Sequence, residues 1–440
     1  MQAYFHQLAD LIGAQLQGAE QFKSWFAAEA TDFVRFNRSA VRQAGHVRQL
    51  SLSLDLIEGR RHASASATLA GQIEVDRTTL TKLIETLRAQ LPSLPEDPYL
   101  LIATEVNSTE QALPSLLPPA GEIVEQVLRA AAQVDLVGML ASGPIFRGFA
   151  NSFGQRNWHE AATFNLDWSL YQSRDKAVKS SYAGSEWEHG AFTDKMLTAI
   201  KQLELLKRVP VTINAGAYRA FLTPTAMQEI IGMFNWDGFS EKSLRTKQSS
   251  LRRMRDEGMR FNPAVTLSED IGSGIAPGFQ SDGFIKPARV ALLEQGVLTG
   301  SLIAPRTAME YGLTSNGAGA GEAMASIDLA AGTLPMAQVL AELDTGIFVS
   351  NLWYLNYSDR ANCRITGMTR FATFWVEGGQ IKAPLNVMRF DESLYRLLGE
   401  NLLALTAERE LLLDSSTYLE RATASALLPG ALVKDFTFVL

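Results

Sequence analysis

The sequence predicts an α+β protein, with an N-terminal antiparallel sheet and flanking helices followed by a strand-rich C-terminal domain. Three observations lead there. From His46 to Arg60 the chain alternates, Leu50, Leu52, Leu54 and Leu56 on one face and Gln49, Ser51, Ser53 and Asp55 on the other, which is the period-two pattern of a half-buried antiparallel strand. Segments of helical periodicity surround that strand. Beyond about residue 208, short apolar runs separated by glycine-rich stretches dominate.

In chain order, the first predicted helix runs from Gln2 to Leu16, where Phe5, Leu8, Leu11, Ile12 and Leu16 form one face and Gly18 supplies a stop. Short strands follow at Phe22–Phe26 and Asp32–Phe36, then the alternating strand at His46–Arg60. A second helix, Thr78–Gln90, turns Leu80, Leu83 and Leu87 inward, and a third covers Gly121–Gln133. Alternation resumes from Leu136 to Ser181, and an amphipathic helix, Phe192–Lys207, leads to Val209-Pro210. The chain is cut there, giving domains 1–207 and 208–440. The second half opens with an apolar strand, Val209–Ile213. A helix from Thr223 to Phe234 comes next, opened by Thr223-Pro224, a cap followed by a first-turn proline. A basic segment, Lys242–Arg260, holds seven Lys or Arg on a helix interrupted at Gly258. Further strands are predicted at Gly346–Leu352, Arg370–Val376 and Ile381–Val387, and a last helix at Asp391–Ala404.

Composition narrows the function. A formal charge of -7 over 440 residues gives no general attraction to nucleic acid or anionic lipid. A single cysteine, Cys363, excludes an intrachain disulfide and a Cys-x-x-Cys pair, and fits a reducing compartment. No signal-like N-terminus and no span-length apolar run occur, so a cytoplasmic location without a membrane anchor is expected.

Candidate chemistry is sparse. The histidines are His6, His46, His62, His159 and His189, and none follows His189. A hydrolytic zinc site draws three ligands from His, Cys, Asp and Glu, so the second half can offer only Cys363 and carboxylates. Trp158-His159-Glu160 begins like a metalloprotease helix, but Thr163 and Phe164 stand where a second ligand would return, and the surroundings alternate like a strand. Glu186, Glu188 and His189 lie in an acidic turn that reads as solvated. Cys363 has no neighbouring base, and no Gly-x-Ser-x-Gly elbow is present. Gly317-Ala318-Gly319-Ala320-Gly321 lacks the Lys-Ser/Thr of a phosphate loop and reads as a flexible loop. Arg252, Arg253 and Arg255 have no interleaved aromatics and read as a solvated helix face or subunit contact.

Several stretches together resemble the TldD/PmbA family of peptidases, historically called modulators of DNA gyrase. They are Val209–Ile213 leading into Ala220-Phe221-Leu222-Thr223, Ser281-Asp282-Gly283-Phe284, Glu294-Gln295-Gly296-Val297-Leu298, Thr307-Ala308 with Asn316-Gly317, Gly346-Ile347-Phe348-Val349, and Val376 through Ile381. The N-terminal half fits more loosely, through Val34-Arg35-Phe36 and the run from Tyr171-Gln172 to Tyr182-Ala183-Gly184. In that family the TldD-type subunit carries His-Glu-x-x-x-His, two zinc ligands and a general base. The matching segment here is Thr223-Pro224-Thr225-Ala226-Met227-Gln228, so Thr223 and Gln228 stand at the histidine positions and Pro224 at the glutamate. Neutral Thr and Gln oxygens are poor zinc ligands, and proline cannot deprotonate water.

The resemblance therefore implies the PmbA side, also called TldE. The expected chain has no catalytic, cofactor or metal residues of its own, with degenerate positions at Thr223, Pro224 and Gln228. It is expected to join a zinc-bearing TldD-type subunit in a dimeric metallopeptidase that degrades or processes unfolded peptides, and to form a homodimer in isolation. Two other readings stand beside it. One is a self-sufficient hydrolase built on His159, Glu160, Glu186 and His189. The other is a regulatory binding module for a toxin-antitoxin or gyrase-related system acting through Arg252–Arg255.

Overall fold

Leucine on every second residue buries one face of a strand, and Leu50, Leu52, Leu54 and Leu56 are all buried along a strand of 19 residues. That strand belongs to the first of two sheets in the computed structural model, which describes residues 1–173 and 176–439. Arg174 and Asp175, inside the predicted run of alternation, lie outside the described residues. The first sheet is built from β1 (Gln21–Asn37), β2 (Ala40–Glu58), β3 (Arg61–Leu69), β4 (Thr109–Ala112), β5 (Asp135–Asn151), β6 (Arg156–Ser173) and β7 (Lys176–Gly184). Its order is β3-β2-β1-β5-β6, with β4 and β7 both pairing β6. Every pair is antiparallel except β4 with β6.

One face of this sheet takes all four N-terminal helices. Helices α1 (Gln2–Gly13) and α2 (Ile73–Gln90) bury Phe5, Leu8, Leu80 and Ile84 against Phe26, Leu52 and Trp158 at one end. At the other end α3 (Ala120–Ala130) and α4 (His189–Leu205) bury Ile123, Val127, Phe192 and Met196 against Leu140, Leu166 and Trp168. The opposite face of β1, β5 and β6 carries odd-numbered residues, among them Trp25, Arg147, Phe149, His159 and Asp167. It is turned to the second half of the chain, where Trp25 meets Phe279 edge-on and Phe149 lies against Gly283. Glycine is required at 283, because a Cβ there would sit 2.3 Å from the Phe149 ring.

The second sheet holds β8 (Gly216–Leu222), β9 (Leu267–Asp270), β10 (Arg289–Glu294), β11 (Val297–Leu298), β12 (Ser326–Leu329), β13 (Gly346–Asp359), β14 (Arg364–Glu377), β15 (Gln380–Pro384), β16 (Arg389–Ser393), β17 (Leu402–Leu413) and β18 (Ser425–Phe438). Its path is β11-β10-β9-β12-β18-β16-β14-β13-β8, and β8 pairs back onto β18. Strands β8, β13, β14, β16 and β18 thus close a ring. Short helices fill the connections: α5 (Pro224–Gly232), α6 (Glu241–Arg245), α7 (Arg252–Asp256), α8 (Pro305–Tyr311), α9 (Val339–Leu343) and α10 (Leu394–Leu397). The predicted α+β class, antiparallel N-terminal sheet and strand-rich second half are all present.

Three element predictions need correction. Val209–Ile213 is not a strand; it makes one bridge, Val211 to Leu385, and the first strand of the second sheet begins at Gly216. The predicted helix at Asp391–Ala404 is the end of β16, a single turn (α10) and the start of β17. Leu394, Leu397, Leu398 and Leu402 are all buried while Arg396 and Glu400 reach solvent, a helical spacing that the chain keeps for only one turn before it enters β17. The basic segment forms two short helices, α6 and α7, instead of one interrupted at Gly258.

Polar groups from the two halves meet at several points along the seam. The loop between β17 and β18 reaches over the first sheet and buries Arg421. Its guanidinium donates to the carbonyl oxygen of Gly143 (3.0 Å) and to the hydroxyl (2.8 Å) and carbonyl (3.1 Å) of Thr163, while its own carbonyl accepts from Arg147 (2.9 Å). Burial pulls the guanidinium down to about 10. At the other end Arg306 forms a two-pronged ion pair with Asp97 (2.6 and 3.2 Å). Lys23 bridges Asp55 (3.0 Å) and Asp282. Replacing Arg421 with methionine keeps volume but strands three buried acceptors, so urea unfolding should show a loss of about 2–4 kcal/mol. Limited proteolysis should then cut between Asp414 and Glu420, where the parent chain resists.

Candidate functional site

The site grows from the joint between β8 and α5. β8 runs parallel to β13, with Leu222 opposite Val349, and the next amide, Thr223 N–H, donates to the Val349 carbonyl at 3.2 Å. Thr223 ends the strand and caps the helix. Its hydroxyl donates to the Ser350 carbonyl (2.6 Å) and accepts from the Ala226 amide (3.3 Å), while Pro224 fills the first helical position, where no amide hydrogen is needed. Ala226, Met227, Ile230 and Ile231 are fully buried, which turns Thr225, Gln228, Glu229 and Gly232 the other way. Replacing Thr223 with valine should cost about 1–2 kcal/mol in urea unfolding, through the lost cap, and should leave the zinc content of the purified chain unchanged.

That outward face of α5 forms one wall of a cleft of about 600 Å³ between the two sheets. Asp167 on β6 and Lys179 to Ser181 on β7 enter it from the first sheet. Asn351, Trp353 and Phe371 enter it from β13 and β14, and the ends of β17 and β18 with Asp414 complete it. Burial pushes the carboxyls of Asp167 and Glu229 up, against the opposing charge of Lys179.

Two irregularities in the β13–β14 hairpin shape the rim. Val349 pairs with Thr373 and Asn351 with Arg370, so Phe371 and Ala372 face the single residue Ser350; Trp353 pairs with Met368 and Asn356 with Thr366, so Tyr354 and Leu355 face Gly367. Each bulge contains an aromatic residue in the left-handed region, Phe371 at φ 63° and Tyr354 at φ 60°, where glycine is usual. Such backbone costs about 1–2 kcal/mol per residue. Phe371 lines the cleft, whereas Tyr354 is exposed with its ring tilted at 44° against Trp353, and the Arg370 guanidinium lies 4.3 Å from the Trp353 ring and 5.6 Å from Phe371.

Of the three predicted degenerate positions, only Gln228 reaches the cleft; Thr223 has spent its hydroxyl on the joint and Pro224 is buried. Cys363 is fully buried at φ 47° in the β13–β14 turn, its thiol pushed up to about 12 by burial, away from α5's outer face. His189 Nδ1 and the Trp187 indole both meet the Gln126 amide oxygen, at 2.7 and 2.8 Å, far from a catalytic arrangement. Three arginines of the basic segment are pinned by neighbouring acids: Arg245 and Arg255 converge on the buried carboxylate of Glu241 at 2.7 and 2.6 Å, and Arg253 pairs with Glu257. The exposed stripe expected for Arg252–Arg255 is therefore replaced by a pinned turn. Gly317 is required by a crossing, since a Cβ would sit 2.2 Å from the Ile285 carbonyl, and the glycine-rich run opens no helix. Among the described residues, no group of three or more His, Cys, Asp and Glu is placed to hold a metal ion.

His159 sits fully buried on β6, its Nε2 donating to the Ile275 carbonyl across the domain seam at 3.0 Å. Burial lowers its pKa to about 4. The unfolded chain therefore binds a proton near pH 6.5 that the folded chain refuses until about pH 4, so this contribution to stability is complete above pH 6.5 and shrinks as pH falls. Between pH 6.5 and 4.5 the loss is about 2–3 kcal/mol. His159→Gln, which keeps a donor, should show a correspondingly shallower fall in urea-unfolding free energy over that range.

Residues 215–439 match the sequence profile of the PmbA/TldA metallopeptidase C-terminal domain, which is just over half of the chain. The chain belongs to this family. Three solved structures share its fold over 99% of its length: TldE from Thermococcus kodakarensis (TM-score 0.78, 15% identity, 100% of that chain), a protein from Thermotoga maritima described as a modulator of a DNA gyrase (0.77, 15%, 100%), and one from Bacteroides thetaiotaomicron described in the same terms (0.75, 14%, 98%). Comparison with curated proteins finds no match. For the PmbA/TldD family the implied metal is zinc, and the donors around α5 do not suit it. A threonine hydroxyl already bonded twice, a proline and a primary amide offer neither an anionic nor an imidazole ligand.

Proposed function

We propose that this PmbA/TldD-family chain is the metal-free subunit of a two-chain metallopeptidase acting on unfolded peptides. The observation that carries the reading is the wall of the main cleft. The helix that bears His-Glu-x-x-x-His in the zinc-carrying type is α5 here, held in place by its cap, with Gln228 facing the cleft and Thr223 and Pro224 committed to the joint. The scaffold of a peptidase site is kept while its metal chemistry is replaced. In this reading the chain shapes the chamber beside a partner's zinc, and without that partner it self-associates as a homodimer. The other two readings gather no support: His159 is buried as a neutral donor to a carbonyl, and the arginines around Arg252–Arg255 are engaged with Glu241, Glu257 and Tyr395.

The test uses the full chain, alone and mixed with a TldD-type chain that has the intact motif. Alone, elemental analysis should find no stoichiometric zinc, and a denatured protein substrate should survive. Mixed, the two chains should co-elute on size exclusion and hydrolyse the substrate until a chelator is added. Stoichiometric zinc in the lone chain, together with hydrolysis that a chelator abolishes, would overturn the proposal.

A further inference from the structure

Among the described residues, the cleft beside α5 contains charges that take part in no ion pair. Three carboxylates line it, Asp167, Glu229 and Asp414, against the single ammonium of Lys179. Among the described residues Asp167 accepts one hydrogen bond, from the Asn165 amide (3.1 Å), and Glu229 has neither a hydrogen bond nor an ion pair. Asp167 arrives from the first sheet and Glu229 from α5 of the second half, so docking of the two halves brings like charges into one space and satisfies neither. Lys179 acts on both carboxyls through its field, without an ion-pair contact to either. Partial desolvation in the cleft raises both groups, Asp167 half-buried and Glu229 more open to water, and an incoming cation offsets that penalty.

The aromatic wall has the same preference. Trp353 is 44% exposed and Trp236 is 45% exposed, both lining the cleft beside Phe371. Their ring faces already attract cations from the protein itself, Arg370 over Trp353 and, from the opposite sheet, Lys179 at 5.9 Å from Phe371. A cleft of about 600 Å³ lies within the range of roughly 300–1,000 Å³ that holds a small ligand or a few residues of peptide.

We infer that this cleft binds a peptide by its alkylammonium group, with Asp167 and Glu229 accepting its hydrogens and Trp353 and Phe371 holding the neighbouring side chain. The ammonium is supplied by a free amino terminus or by a lysine side chain. The inference rests on the reading of this chain as a peptide-handling subunit, and it assigns to the metal-free chain the task of seating one charged point of the peptide.

Calorimetric titration of the full chain separates the sources. The probes are a trialanine amide with a free amino terminus, its N-acetylated counterpart, and the acetylated peptide with lysine as its central residue. The free-amine or the lysine probe should bind at least about tenfold more tightly than the neutral acetylated one, and whichever does identifies the source. Asp167→Asn and Glu229→Gln should each remove most of that preference while melting temperature stays near that of the parent. Equal binding of charged and neutral probes, a preference that survives both substitutions, or no binding of any probe overturns the inference. The subunit proposal is judged separately, by co-elution and chelator-sensitive hydrolysis.

Discussion

Donor and acceptor groups buried at the seam between the two sheets are the constraint on which the rest of the molecule depends. The first sheet turns an irregular polar face toward the second half of the chain, with the carbonyls of Gly143 and Thr163 needing donors and His159 needing an acceptor. Arg421 and Ile275, both from the second half, supply them. A buried carbonyl without a donor costs about 1–3 kcal/mol, whereas the apolar contacts at the seam tolerate small slips. Polar complementarity therefore decides the one relative placement of the sheets. The cleft is what that placement leaves unfilled.

Within the seam, α5 owes its position to the strand before it. Because β8 runs parallel to β13 and hands over directly at Thr223, the helix start is tied to the Val349 and Ser350 carbonyls whatever residues face outward. This separates scaffold from chemistry. The buried face, Ala226, Met227, Ile230 and Ile231, keeps the helix seated, and the outward positions are free to change without loss of fold. The residues at 223, 224 and 228 suit a stable chain without zinc ligands: Gln228 is at an outward position, Thr223 caps the helix, and the proline at 224 favours the helix start that a glutamate would only tolerate.

Much of this was legible in the chain, and the failures have physical causes. Leu50 to Leu56 declared their strand because one face is covered and the other is not. Thr223-Pro224 declared the helix because a cap and a first-turn proline are local chemistry. The segment from Leu394 to Leu402 misled because its buried leucines keep helical spacing although only a single turn of helix forms. Neither the order of strands in the second sheet nor the joining of Asp167 to Glu229 could be read, since each depends on pairings between residues far apart in sequence, and Arg421 shows no signal beyond being an arginine in a polar loop. The basic segment misled for a related reason: Glu241, just before it, is a buried acid that pins two of its arginines.

Phe371 and Tyr354 complete the argument, because they occupy backbone that costs free energy where glycine would not. Two bulges one after another in the same hairpin bend β13 and β14 away from a flat ladder, and the first places Phe371 in the cleft wall while the second follows directly on Trp353. A glycine at either place would relieve the backbone and remove the ring. The rings therefore stand where they are against local preference. On Phe371 they meet cations from both halves of the chain, Lys179 from the first sheet and Arg370 from the second. A strained aromatic facing two cations across a seam, beside two carboxylates that take part in no ion pair among the described residues, is an arrangement organised around a ligand's charge more than around the stability of the chain.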